Sequence, residues 1–187
     1  MSVVTERTTT KIEKVGDRTL TFSILNGIKH GAFLLERSGK KEFEGFFENG
    51  ILTGKFVSYH PEGQVMSIVN YKSGLLDGAF VFFYKSGIKQ LTGNYKNGQY
   101  DGNIMTYDEF GDVIAIEHYV EGKLHGKSTK YYPKNITHGN KSQPMEIALY
   151  ENGLLHGNKV SFLPSGKVMS IVPYYKGRPL RYGTMNA

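Results

Sequence analysis

Strand-length runs of apolar and aromatic residues, six to nine long, alternate along this chain with short polar breaks that carry glycine. Residues 79–95, AFVFFYKSGIKQLTGNY, show the pattern. Ala79 to Tyr84 is rich in strand formers, Lys85-Ser86-Gly87 reads as a hairpin turn, and Ile88 to Tyr95 runs back. Side chains alternate across a strand, so Val57 with Tyr59, Val81 with Phe83, Met105 with Tyr107, Thr129 with Tyr131 and Val160 with Phe162 share one face. Phe56, Phe80, Phe82, Tyr84, Ile104 and Tyr132 fall at the alternate positions. No window of eleven or more residues keeps apolar spacing at three and four without an intervening glycine, so helix is not expected.

The breaks recur at fixed distances. Glycines four apart stand at Gly27/Gly31, Gly50/Gly54, Gly74/Gly78, Gly98/Gly102, Gly122/Gly126 and Gly153/Gly157. Twenty-four residues separate Gly50, Gly74, Gly98 and Gly122; the first interval is 23 and the last is 31. This is a tandem array. Three residues before each first glycine stand Ile24, Phe47, Tyr71, Tyr95, Tyr119 and Tyr150, with Tyr174 before Gly177 of a decayed seventh unit, and these should form a column across stacked units. The expected organisation is one repeat domain: a cap over residues 1–21, six tandem hairpin repeats over 22–176, and a decayed terminal repeat over 177–187. A loop at 133–144, bracketed by Pro133 and Pro144, absorbs the seven surplus residues.

Composition agrees with turns and strands. The 187 residues include 23 glycines and 24 tyrosines and phenylalanines, high for this length. Cysteine is absent, which excludes disulfides and thiolate metal sites. The N-terminal MSVVTERTTTKIEK lacks an apolar stretch and no run reaches membrane-spanning length, so a soluble cytoplasmic protein is expected. The net charge of +6 is spread along the chain, dense only at Lys40-Lys41 and in residues 174–182, and no nucleic-acid partner is expected from it.

Candidate chemistry is sparse. His30, His125 and His156 share one repeat position with Asp77 and Asp101, just before the second glycine. A polar type held in register suits a turn that bonds nearby backbone N–H groups better than it suits catalysis. His125 and His156 lack a third ligand at fitting spacing, so no metal or cofactor is expected. Gly126-Lys127-Ser128 lacks the upstream glycine of a phosphate loop. In the unit of Ala79 to Tyr84 both strand faces are aromatic. A single-layer sheet cannot bury both, so Phe56, Phe80, Phe82, Tyr84, Ile104 and Tyr132 are candidates for an exposed partner-binding patch, or for a surface covered by self-association or by the capping segments.

Tyr-x-x-Gly-x-x-(Asp/His)-Gly, repeated about every 24 residues and followed by an aromatic and a glycine turn, resembles the MORN repeat in its longer bacterial-type variant. The resemblance covers about residues 22–180, although Thr53 replaces the acid or histidine in one unit and tryptophan is absent. It implies an all-β, elongated, single-layer antiparallel sheet of tandem hairpins that acts as a non-enzymatic scaffold. It also implies similarity to YwqK-like antitoxin or immunity proteins, with another protein, a toxin, as partner. Anionic lipid is the alternative partner, met by dispersed lysines. An enzyme with a His/carboxylate site is a third reading, which a single-layer sheet does not favour.

Overall fold

The computed structural model describes residues 8–137 and 142–180. The caps expected at the two ends and the loop at 133–144 therefore fall partly outside the described residues. The described chain is all-β, antiparallel, and laid down as successive hairpins, with no α-helix. It divides into two compact units, Met1–Lys89 with Tyr95–Gly98, and Gln90–Asn94 with Gln99–Ala187. The strands in the first are β1 (Thr8–Val15), β2 (Arg18–Leu25), β3 (Ile28–Arg37), β4 (Lys40–Glu48), β5 (Ile51–Tyr59), β6 (Val65–Lys72), β7 (Leu75–Leu76) and β8 (Gly78–Phe83). Strand β9 (Lys89–Lys96) is divided between the two units. The second holds β10 (Gln99–Tyr100), β11 (Gly102–Tyr107), β12 (Val113–Val120), β13 (Lys123–Tyr131), β14 (Pro144–Glu151), β15 (Leu154–Leu155), β16 (Gly157–Phe162), β17 (Val168–Tyr175) and β18 (Arg178–Pro179).

The first glycine of each pair closes a two-residue hairpin. Asn49-Gly50, Ser73-Gly74, Asn97-Gly98 and Asn152-Gly153 have φ of 50 to 51° and then 80 to 85°, as a type I′ turn requires at both central positions. Asparagine tolerates this left-handed backbone through local polar contacts and glycine adopts it without a steric penalty, which is why the pattern writes Asn-Gly there. The turns also bond one another across repeats. Gly74 N–H donates to Leu52 O, Gly98 N–H to Leu76 O and Gly177 N–H to Leu155 O, at 2.8 to 3.0 Å. Each turn is thus hydrogen-bonded to the repeat before it.

The second glycine is not in a turn. On β6, Tyr71 pairs with Leu76 and Ser67 with Phe82, so four residue steps on one strand face six on the other. The surplus pair is Asp77-Gly78, where Asp77 N–H donates to Asn70 O and Gly78 has φ of 103°. The same two-residue surplus recurs opposite Ser23, Gly45, His118 and the Ala148–Leu149 step, between residues paired in register on either side. A one-residue bulge would send every later side chain to the other face. Two residues leave the alternation intact.

That alternation gathers one aromatic face in the first unit. Phe22 and Ile24 on β2 and Phe33 on β3 form its buried centre, packed against Phe43, Phe47, Leu52 and Phe56. The ring of Phe33 lies 4.8 Å from that of Phe47, Phe56 lies 5.7 Å from Tyr71, and Phe80 lies 4.6 Å from Tyr95. Gly45 leaves the space these rings need, because a Cβ there would stand 2.8 Å from the Phe33 ring. At the corresponding positions of the second unit the chain carries Ile104, then Ser128, then Lys159. There Lys159 Nζ pairs with Glu146 Oε2 at 2.7 Å, Tyr119 Oη donates to Glu117 Oε2 at 3.4 Å, and the rings of Tyr100 and Tyr119 meet edge to face at 5.3 Å.

Candidate functional site

None of the six residues expected to form an exposed patch is fully exposed. Phe80 and Ile104 are only 4% and 3% exposed, and Phe56, Phe82, Tyr84 and Tyr132 are half-buried. Phe56 touches the rings of Phe33, Phe43 and Tyr71, and Phe80 those of Phe82 and Tyr95. Expected exposure at Phe80 and Ile104 is thus corrected: Phe80 packs against the pre-turn Tyr95 as Phe56 does against Tyr71, so a single sheet layer buries rings against rings, and Ile104 is buried at the corresponding position of its own strand. Tyr132 ties down the insertion instead. Its hydroxyl donates to Phe162 O at 2.8 Å, its backbone N–H to Gln143 O at 2.9 Å, and Lys134 in the following 3-10 turn pairs with Asp112.

With the aromatic face self-packed, the opposite face is the one left open. In the first unit it holds a depression of about 740 Å³. Thr21, Ser23, Ala32 and Thr53 line it with short side chains, while Phe46, 42% exposed, and Lys55 rise at its border. In the second unit the same face holds a depression of about 380 Å³, lined by Asn103, Ile116, His118, Lys127, Thr129 and Tyr131. His118 Nδ1 and Asn103 Oδ1 are 2.8 Å apart within it. Beside it runs an apolar row: Ile147 pairs with Val160, Val160 with Ile171, and Leu149 lies two residues along β14. Leu149, Met169 and Ile171 are 42%, 60% and 57% exposed. The signal that could have found this row is the alternation in β14 and β17, where Ile147 and Leu149, and Met169 and Ile171, stand two apart.

Electrostatics on this face of the first unit centre on Glu44. It accepts from Lys41 Nζ at 2.8 Å and from Tyr59 Oη at 2.6 Å, and these two bonds hold its carboxyl below the ordinary range. The Tyr59 phenol is raised, first by burial and then by its bond to Glu44. On the aromatic face of the second unit, burial and the neighbouring Glu117 push Tyr119 from 10.0 to about 12.

The polar position before the second glycine bonds backbone, but not locally. Asn97 N–H donates to Asp77 Oδ2 at 3.2 Å and Asn49 N–H to His30 Nδ1 at 3.3 Å, so the side chain of one repeat caps the hairpin of the next. His156 differs: its Nδ1 stands 3.1 Å from Glu151 Oε2 and its ring packs on Tyr175 at 5.2 Å. Among the described residues no three His, Asp or Glu side chains gather as metal ligands, and no helix is long and apolar enough to cross a membrane.

Residues 52–73 and 76–97 match the model of the MORN repeat variant. Each match spans a hairpin turn and ends beside the next. No curated protein sequence matches the chain. Among solved structures, the crystal structure of a GtfA/B complex bound to UDP and GlcNAc is similar at 11% identity with a TM-score of 0.27. That match takes in 54% of this chain and 20% of that one, and a likeness so slight carries no argument.

Proposed function

We propose that this chain is a non-catalytic binding scaffold whose partner is another protein, seated on the face opposite the aromatic stripe. The observation that carries the reading is the exposed row Leu149, Met169 and Ile171 beside the half-buried Ile147 and Val160. Contiguous apolar side chains held in register by a rigid ladder present a protein surface with something to cover, at little ordering cost. Taken by itself, the first unit offers a partner's side chains room in the short-lined depression over Ser23 and Ala32. The finer reading, supported by resemblance to YwqK-like proteins, is an immunity-type protein that covers a toxin and blocks its substrate sterically. The lipid alternative has less support, because Lys41 and Lys85 are ion-paired to Glu44 and Glu62.

The test is affinity capture from the native host with the wild-type chain and with Leu149→Glu/Ile171→Glu. A protein held by the first and released by the second is the expected result, and its toxicity on expression, relieved by this chain, carries the finer reading. A partner held equally by both places the interface elsewhere and overturns the proposal.

A further inference from the structure

Strand β1, TTTKIEKV, pairs with β2 along all eight of its residues, and every one of them is exposed. Among the described residues no strand pairs with its other edge. Such an edge carries a row of backbone donors and acceptors ready for another strand. Which residues supply them follows from the hairpin. Val15 and Arg18 close the two-residue Gly16-Asp17 loop, so they exchange hydrogen bonds with each other. Val15, Glu13, Lys11 and Thr9 therefore aim their backbone groups at β2. Lys14, Ile12, Thr10 and Thr8 aim theirs outward.

We infer that β1 is a self-complementary pairing edge, and that a second copy of this chain adds to it antiparallel, with the two-fold axis at Ile12. The choice of occupant comes from the side chains. With Ile12 facing its own copy, the outward groups of Thr10 and Lys14 meet in bonded pairs. Lys11 then faces Glu13 of the other copy, and Glu13 faces its Lys11, in the non-bonded positions where Cβ atoms come closest. Neither residue forms an ion pair within the described chain, and both are fully on the exposed strand. Sliding the strands by two residues in either direction, the next shift that keeps outward backbone groups opposite one another, places Lys11 on Lys11 or Glu13 on Glu13. One register alone satisfies both charges, and it also brings together two Ile12 side chains that are each 63% exposed in one chain. A lysine on an edge usually discourages pairing; here each has a carboxylate opposite when the partner is an identical strand.

Sedimentation velocity over a concentration series tests this on the full chain. The wild type is expected to show a monomer–dimer equilibrium. Lys11→Glu and Glu13→Lys, each replacing two attractive pairs with two repulsive ones, should weaken it at least about tenfold. Mixing those two variants should restore pairing as a heterodimer, because every position 11 then faces an opposite charge at position 13. The double exchange Lys11→Glu/Glu13→Lys should restore the homodimer. Ile12→Pro removes an outward N–H that β2 does not use, so it should leave hairpin exchange protection intact and abolish the dimer. A wild-type chain that stays monomeric at hundreds of micromolar, or a dimer indifferent to the single charge reversals, overturns the inference. Partner capture through the Leu149/Ile171 face is read separately and does not depend on the outcome.

Discussion

The two units share a backbone and differ in what they enclose. Two residues past the second glycine, the first unit places Phe33, Phe56 and Phe80, each against an aromatic ring one strand on. The second unit places Ile104, which is buried, and then turns polar with Ser128, which is buried, and Lys159, which is ion-paired to Glu146. Yet both show the same left-handed Asn-Gly turns, the same glycine bonds from turn to preceding repeat, and the same two-residue bulges. The lesson is that turn and bulge chemistry specify the architecture, while the buried face is free to be greasy or polar. In the first unit, apolar burial adds stability to that frame. In the second, solvation and hydrogen bonding must be satisfied within it, and net gains are smaller.

Truncation tests that contrast most strongly. Phe80→Ala should cost about 3 kcal/mol, since an aromatic ring 4% exposed leaves a cavity, while Ser128→Ala at the equivalent site should stay within about 1 kcal/mol. Urea denaturation read by hydrogen exchange in each unit makes the comparison, and equal costs would break it. Next come the turns, where the units should agree. Gly74→Ala and Gly153→Ala, at φ of 80° and 85°, should each cost about 1 to 2 kcal/mol, measured in the same way. A large difference between them would mean the frame is not common to both. Asp77→Ala removes the acceptor for Asn97 N–H and should cost about 0.5 to 1 kcal/mol, while raising amide exchange at Asn97.

The smallest expected effect is in alkali. Tyr119 has a phenol whose folded-state value, about 12, lies above its ordinary 10.0, so the folded chain holds that proton more tightly than the unfolded one. The resulting stability is complete below pH 10 and is lost as pH rises from 10 toward 12. Tyr119→Phe should flatten that part of the stability curve, with tyrosinate absorbance reporting the titration directly. A wild-type curve unchanged by the substitution would show that the polar face of the second unit gives no such protection.

The repeat, its period and the Asn-Gly hairpins were readable because left-handed backbone restricts the residue choice so tightly. The second glycine was harder to place, since a turn and a bulge both require positive φ and the difference lies in which strand pairs opposite. For Asp77 and His30 the chemistry, a backbone bond, was legible, but its destination twenty and nineteen residues away was not. Phe80 and Ile104 were expected in the open because both faces of their strands read as apolar. Alternation alone does not say which face the tyrosines will cover. Leu149 and Ile171 follow the alternation of β14 and β17, but the sequence does not say that their face stays open.

A bulge of two residues rather than one has a bearing on how such a chain grows. Residues 50–73 run from one hairpin glycine to the residue before the equivalent Gly74, and the surplus inside them leaves inward and outward side chains in phase. A duplicated copy spliced in after Ser73 would enter facing the same way as its parent. Lengthening by whole cassettes then extends the surface offered to a partner without reinventing it, and each new copy is free to drift in side chains while glycine keeps the frame.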